Sequence, residues 1–298
     1  MSLREKLGDK PVMMEVIPPS RRAKEKSVVR FIDSYVQKAL NTFEIDAVNI
    51  PEIVEENYRG RPLYKNMDPR EFSRVMRSIC GHQDVIVNKI VVHCRSGHEE
   101  LAEWAFVTTE DYGVHNVVAV GGNSSRHRYP GPTVLEANRM MRDTGLLCGN
   151  IMIPERRDEA RRMLMKTRAG ADFFTTQTIF SSSRLLEVLR TYDSLCKRRD
   201  VDHATVFLSF TPVSDQNDLD FLHWLGVEID PETERGLLAG ESKDLARPSI
   251  DLALANWRRI LSESSSYGGI PLGLNIEYIT RHNFDDALEM GKRLIEGG

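Results

Sequence analysis

The sequence predicts an α/β fold, a (β/α)8 TIM barrel in a single domain. Three observations predict it: eight short strand-like runs recur along 298 residues, helical patterns fill the gaps, and several runs are apolar without alternation. Continuous apolar runs suit a parallel sheet covered on both faces. Eight strand–helix units in a chain of this length match a closed barrel. A doubly wound open sheet is the alternative, because order along the chain does not show closure.

The runs lie at 12–17, 45–50, 87–93, 115–121, 147–153, 172–177, 204–210 and 270–276. Val117-Val118-Ala119-Val120 is of the doubly covered kind. Helical patterns occupy 23–42, 68–80, 98–111, 132–144, 156–169, 181–198, 215–226 and 246–264, and 283–296 closes the chain. No linker, low-complexity tract or internal repeat interrupts them, so residues 1–298 read as one catalytic domain. The stretch from Gly226 to Arg247 is longer than a βα loop needs. It contains Asp230-Pro231-Glu232-Thr233-Glu234, a capping aspartate followed by a first-turn proline, which predicts a short helical insertion around 227–246. A plain surface element and a lid are both open for it.

With 41% hydrophobic and 28% charged residues and a formal net charge of -4, the composition carries no electrostatic commitment to nucleic acid or to membranes. No stretch approaches the roughly 18 apolar residues of a transmembrane helix. Met1-Ser2-Leu3-Arg4-Glu5-Lys6 lacks the apolar core of a signal peptide, so a cytoplasmic location is expected. Cys80, Cys94, Cys148 and Cys196 form no CxxC pair and suit reduced thiols. No His/Asp/Glu set has ligand spacing on one element, so no metal site is expected.

The first run, Val12-Met13-Met14-Glu15-Val16-Ile17, seals a glutamate among apolar residues before Pro18-Pro19. A carboxylate in such a place is costly unless it is paired, protonated or functional. Alternation puts Met13, Glu15 and Ile17 on one face. An edge-strand glutamate facing solvent is the plain alternative.

In a barrel of this kind the active site forms at the C-terminal ends of the strands. Polar residues gather there in this chain: Asn49, His93-Cys94-Arg95, Gly121-Gly122-Asn123-Ser124-Ser125, Pro154-Glu155, Gln177, Thr211-Pro212, and Asn275 with Glu277. One polar rim suits a polar, ring-shaped ligand or cofactor. The glycines at 121 and 122 let backbone N–H groups approach a phosphate or ring, but the segment is not a GxGxxG fingerprint, and taken alone it reads first as a plain turn. His93 reads either as a proton relay or as a partner for a nearby carbonyl.

On these residues the chain resembles the methylenetetrahydrofolate reductase family. Glu15-Val16-Ile17-Pro18-Pro19 is similar to the family's Phe-Glu-Phe-Phe-Pro-Pro opening. Ala169-Gly170-Ala171-Asp172 through Thr176-Gln177-Thr178-Ile179-Phe180 resembles its Ala-Gly-Ala-Asp…Thr-Gln-Phe-Phe-Phe block, and Pro212-Val213-Ser214 its Pro-Val-Ser. The resemblance implies an oxidoreductase of one-carbon metabolism that reduces 5,10-methylenetetrahydrofolate to 5-methyltetrahydrofolate with NAD(P)H, using FAD. It implies Glu15 as the general acid, with Gln177, Asn123, Phe210 and Asn275 as substrate contacts. Asn49, His93, Gly121, Gly122 and Lys166 would be cofactor contacts, and Phe180 a second apolar wall.

The chain departs from the family where Gly121-Gly122-Asn123 replaces Arg-Gly-Asp, which removes one cation and one anion beside the flavin and predicts weaker FAD binding. Asn49-Ile50-Pro51, Leu208-Ser209-Phe210 and Phe221-Leu222-His223-Trp224-Leu225 look more like relatives that transfer hydride without a tightly bound flavin. Two other readings stay open. One is a folate protein passing a methyl group to or from a corrinoid partner, and the other is a non-redox folate-binding subunit. A homo-oligomer or a complex subunit suits any of the three.

Overall fold

In a computed structural model covering residues 2–81, 83–122, 127–239, 245–264 and 269–297, eight parallel strands close on themselves. They are β1 (Val12–Glu15), β2 (Ala47–Ile50), β5 (Val85–Ile90), β6 (Asn116–Val120), β7 (Leu147–Met152), β8 (Phe173–Thr176), β9 (Thr205–Phe210) and β10 (Leu272–Ile276). The order around the barrel is β1-β10-β9-β8-β7-β6-β5-β2, so each strand pairs with its neighbours in the chain and β1 closes on β10. Closure removes the open-sheet alternative. A short antiparallel hairpin, β3 (Val54–Glu56) and β4 (Pro62–Tyr64), rises from the C-terminal end of β2.

The helices are α1 (Leu3–Lys6), α2 (Glu25–Phe31), α3 (Lys38–Thr42), α4 (Pro69–Cys80), α5 (His98–Glu110), α6 (Val134–Asp143), α7 (Glu159–Arg168), α8 (Ser182–Arg199), α9 (Gln216–Trp224), α10 (Pro231–Leu237), α11 (Arg247–Ser264) and α12 (Phe284–Glu296). A π-helical stretch, Ile32–Gln37, joins α2 to α3. Local chemistry sets their ends. Asp68 caps α4 with Pro69 in its first turn, and Gly81, at φ +80, ends it. Thr133 and Glu136 form a capping box on α6.

The third barrel strand differs from its sequence reading. It starts at Val85 rather than 87 and stops at Ile90, because Val91–His93 coil into a 3₁₀ turn whose Cys94 N–H donates to the Val91 carbonyl at 3.2 Å. Gly131 packs against that turn: its N–H donates to the Val92 carbonyl at 2.9 Å, and a Cβ at 131 would lie 2.2 Å from the Val91 oxygen. Between Trp224 and Arg247 the chain forms α10, capped by Asp230.

Alternation sorts each strand into an outer and an inner face. Outward residues such as Val12, Met14, Val48, Val87, Val117, Phe174, Leu208 and Leu274 pack with the helices in the main core. Inward, a lower layer of Met13, Ala47, Ile86, Val118, Leu147, Phe173 and Phe207 fills the barrel. Leu3 of α1 joins this layer from below, and its N–H donates to Asp84 at 2.6 Å. The layer mixes sizes to close: a Cβ at Gly149 would meet the Phe173 ring at 2.2 Å, and one at Gly273 the Phe207 ring at 2.8 Å. One residue pair higher, the inner positions turn polar, with Glu15, Asn49, Asn88, Thr175, Ser209 and Asn275.

Candidate functional site

The strand register builds the centre of the site. Met14 pairs with Ile276 across β1 and β10, so the next residue on each chain, Glu15 and Glu277, stand side by side at the C-terminal mouth. Glu15 is also paired in register with Asn49, whose Nδ2 donates to its Oε2 at 3.0 Å. Glu277 accepts from Asn275 Nδ2 at 2.8 Å and from Thr178 Oγ1 at 2.9 Å. Asn275 Nδ2 also donates to Ser209 Oγ at 2.9 Å. Among the described residues, neither carboxyl forms an ion pair with a lysine, arginine or histidine.

Burial drives both carboxyls towards their neutral forms. It raises Glu15 well above the usual carboxylate range, with the neighbouring Glu277 adding to the rise and the Asn49 amide opposing it. Burial raises Glu277 to about 7, against the donors Ser209, Thr178 and Asn275. Burial and the neighbouring carboxyl thus both favour the protonated form of Glu15 in the barrel mouth. Buried acceptor atoms surround the pair: Asn49 Oδ1, Asn275 Oδ1 and Thr211 Oγ1 have no hydrogen-bond partner. A ligand bringing N–H or O–H donors would satisfy them.

A second acidic group lies on the hairpin side of the same rim. Glu52 accepts from Lys89 Nζ at 3.0 Å and from the Ile90 N–H at 2.7 Å. Glu56 joins His93 Nε2 at 3.0 Å and accepts from the Tyr129 hydroxyl at 2.9 Å. Burial holds the His93 imidazole below its ordinary range against the pull of Glu56. Burial also opposes the Lys89 charge, but Glu52, Tyr64 and Cys94 outweigh it and leave the ammonium raised. These contacts bind the hairpin to β5 and to the loop after β6.

Across the mouth from the carboxyl pair, a cavity of about 1520 Å³ opens beside β5, β6 and β7. Ile90, Val120, Ile151, Gly121 and Gly122 line it, with Arg156, Arg161, Arg162 and Lys166 on the α7 side and the carboxylates of Glu52, Glu55, Glu56 and Asp158 also in the lining. Trp224 and Leu225 stand at its rim, with Trp224 stacked on Phe221 at 5.6 Å. Lys166 donates to the Ile151 carbonyl at 2.7 Å, and burial lowers its pKa to about 8. Gly122 is there for packing: a Cβ would lie 2.3 Å from the Tyr129 ring. A Cβ at Gly121 meets only Val134 Cγ2 at 3.4 Å.

Of the residues expected from the sequence, Glu15, Asn49 and Asn275 come together at the mouth, and Gly121, Gly122 and Lys166 line the cavity. Gln177 follows β8, and its Nε2 donates to the carbonyl of Leu225, which lines the cavity, at 3.2 Å. His93 sits at the same rim but in the hairpin cluster. Phe210 is a correction. It is 1% exposed and packs outward with Val206 and Leu208, so it forms no wall of the mouth. Phe180 is likewise buried, in a small cluster with Val213, Leu219 and Leu222. Asn123 lies outside the described residues.

The sequence places Glu277 at the rim without assigning it a role, and it does not point to Glu56 or Tyr129. The signal for Glu277 was present, because Gly273, Asn275 and Glu277 alternate on one strand face as Met13 and Glu15 do. For Glu56 and Tyr129 no local pattern exists, since the hairpin and the loop after β6 meet only in the fold. The fold also gathers Asp215, Asp218 and His282 within 4.8 Å. Their oxygens already serve the protein: Asp215 caps α9, and Asp218 accepts from the Ser214 N–H at 2.8 Å and from Asn283 Nδ2 at 3.3 Å.

Neither a family model nor a curated protein matches the chain. Among solved structures, it is similar to an uncharacterized protein from Clostridium thermocellum that binds two copies of 5-methyl-5,6,7,8-tetrahydrofolic acid. The two share 20% identity and a TM-score of 0.79 over 98% of each chain. A protein from Aquifex aeolicus VF5 aligns over 98% of this chain and 94% of its own, at 12% identity and a TM-score of 0.53. At these identities the likeness shows a shared fold.

Proposed function

We propose that the chain binds a reduced folate across the barrel mouth and reduces 5,10-methylenetetrahydrofolate to 5-methyltetrahydrofolate with NAD(P)H. The observation that carries the reading is Glu15, a carboxyl at the mouth beside a second carboxyl, with a single amide partner and burial favouring its protonated form. In the proposed step the Glu15 O–H bond breaks and a folate ring nitrogen takes the proton. The C–N bond of the five-membered ring then opens with its electron pair on that nitrogen. The iminium so formed accepts hydride from the reduced cofactor, and Glu15 is left as carboxylate until water restores its proton. The unpartnered oxygens of Asn49 and Asn275 support binding of a ring edge rich in N–H donors. The 5-methyltetrahydrofolate bound by the structurally similar Clostridium thermocellum protein supports a folate as ligand.

For the cavity we propose an anionic, ring-bearing cofactor such as FAD. Its volume exceeds the roughly 300–1,000 Å³ of an ordinary ligand pocket, and Arg156, Arg161, Arg162 and Lys166 supply positive charge on one wall. Bound there, a flavin would relay hydride between nicotinamide and folate. Gly121 supplies no cation at the edge, which supports weak binding or direct transfer from NAD(P)H.

The second reading, folate binding without redox chemistry, is favoured by the absence of charge at 121 and 123, where the sequence has Gly and Asn. Two measurements separate them. The visible spectrum of the purified protein reports flavin, and NADH and NADPH oxidation in the presence of methylenetetrahydrofolate reports reductase activity. Folate-dependent oxidation supports the first reading. Tight 5-methyltetrahydrofolate binding with no oxidation of either nucleotide replaces it with the second.

A further inference from the structure

We propose that Glu277 is the positioning partner of Glu15: the two carboxyls form a proton-sharing pair, in which the first proton to leave comes from Glu277 and the second stays on Glu15. The inference rests on the reading above for the use made of that proton, but the pair itself is a property of the free protein.

Four observations carry it. The register fixes proximity, because Met14 and Ile276 are paired and Glu15 and Glu277 follow them on adjacent parallel strands, which run about 4.8 Å apart. Both residues continue the inward alternation set by Met13 and Asn275, so their side chains share one side of the sheet. No cation compensates them among the described residues, so ionising both at once is disfavoured. The donors are also unequal. Glu277 accepts from Asn275 and Thr178 on separate oxygens, whereas Glu15 has only Asn49. Donors favour the charged form, so the charge settles on Glu277 and the proton on Glu15.

The other groups facing the pair do not reverse this. Ser209 on β9, Thr178 after β8 and Asn49 on β2 are neutral. Tyr278, next in sequence to Glu277, lies within electrostatic reach of Glu15, with Tyr35 of the π-helical stretch and Arg281 beyond it. Burial raises the Tyr278 hydroxyl above its usual range, so it stays neutral as well. A merely structural glutamate at 277 would need only its hydrogen bonds. A positioning glutamate must also be charged, which is why Gln and Asp at this position give different results.

The test is a pH titration of the ligand-free protein labelled with ¹³C at the glutamate side-chain carboxyl, read by NMR. The Glu15 resonance is assigned by its loss in Glu15→Gln. In the wild type it is expected to titrate above every surface glutamate. In Glu277→Gln its midpoint should fall by at least one pH unit, and Glu277→Asp should restore most of the rise. The alkaline limb of folate turnover should move down with it. A second measurement covers the case in which Glu277→Gln does not fold: in the wild type the Glu277 resonance should titrate below that of Glu15, and in Glu15→Gln its midpoint should stay in place, because the residue beside it is neutral in both proteins. A Glu15 midpoint unchanged in Glu277→Gln, or a Glu15 resonance that titrates below that of Glu277 in the wild type, overturns the pair. Because no folate is present, a coupled titration in a protein without reductase activity keeps the pair and removes the functional reading. An unmoved midpoint in an active reductase does the reverse.

Discussion

At one rim of the barrel, two groups of acidic side chains stand in opposite electrical surroundings. Glu52 and Glu56, on the hairpin side, are matched to Lys89, His93 and Tyr129 at 2.9–3.0 Å. Glu15 and Glu277, at the β1–β10 seam, are matched only to neutral amides and a hydroxyl. Both groups are largely buried, so solvent does not account for the difference. In the first group the Lys89 ammonium neutralises Glu52, the His93 ring and the Tyr129 hydroxyl hold Glu56, and both carboxyls serve the fold by fastening the hairpin. The second can be neutralised only by protons and serves chemistry, because a buried proton is what a general acid has to offer. Residue type alone does not separate them; the partners do.

The comparison breaks most sharply at Glu15. Replacing Glu15 with Gln keeps the size and the Asn49 contact but removes the transferable proton. Under the reductase reading, folate turnover should fall by about 10²–10⁴-fold. Thermal stability should hold, since the change deletes a buried ionisable group. Steady-state rates with methylenetetrahydrofolate, beside a melting curve of each protein, check both halves. Equal rates would return Glu15 to a structural role.

The lower inner layer supplies the contrasting case, where stability changes and chemistry does not. Phe207 is fully buried against Phe173, with ring centroids 5.6 Å apart, and no polar group depends on it. Phe207→Ala should cost about 3–5 kcal/mol in a denaturant titration. The folded fraction should keep the wild-type Glu15 titration. A Glu15 midpoint that moves with Phe207→Ala would mean that the two layers are not separable.

Next in size is the matched acid cluster. Lys89 and Glu52 are about one-tenth exposed, so Lys89→Met would strand a buried carboxylate. Removing one partner of such a pair costs about 3 kcal/mol, somewhat less where water can reach it. Equilibrium unfolding measures it, and Glu277→Gln measured alongside should cost far less because it strands no charge. Similar losses from the two variants would erase the distinction between the groups.

How much of this was legible in the sequence follows from the range of each interaction. The strand–helix units were readable because they are local patterns repeated eight times, whereas closure is the long-range pairing of β1 with β10 and shows only in the fold. Glu15 was readable because its strand neighbours are apolar, and Asn49 and Asn275 because they end strands. Phe210 was misplaced, since one step of alternation sends it to the helix layer with Val206 and Leu208. The third strand was shifted because Val91-Val92 have strand-like side chains but are held in a turn by Gly131, which lies some 40 residues on. Glu56, Tyr129 and the basic wall of α7 depend on loops meeting across the rim, and no window of sequence contains that information.

The smallest effect expected is the dependence of stability on pH, and its sign separates the two groups. Glu277 is raised from the usual 4.5 to about 7, and Glu15 is raised too, so the folded protein holds their protons more tightly than the unfolded chain does. Below about pH 4.5 both states are protonated and the full stability is present. As pH rises through about 7 the folded state must release the Glu277 proton against burial, and stability falls, by on the order of 2 kcal/mol. The Lys89 ammonium is shifted the same way, but its loss lies far above this window. Unfolding free energies measured between pH 5 and pH 8 should therefore decline in the wild type and stay nearly flat in the double variant Glu15→Gln, Glu277→Gln. A wild-type curve that rises across that window would mean that the carboxyls are stabilised as anions, and the contrast with Glu52 and Glu56 would be lost.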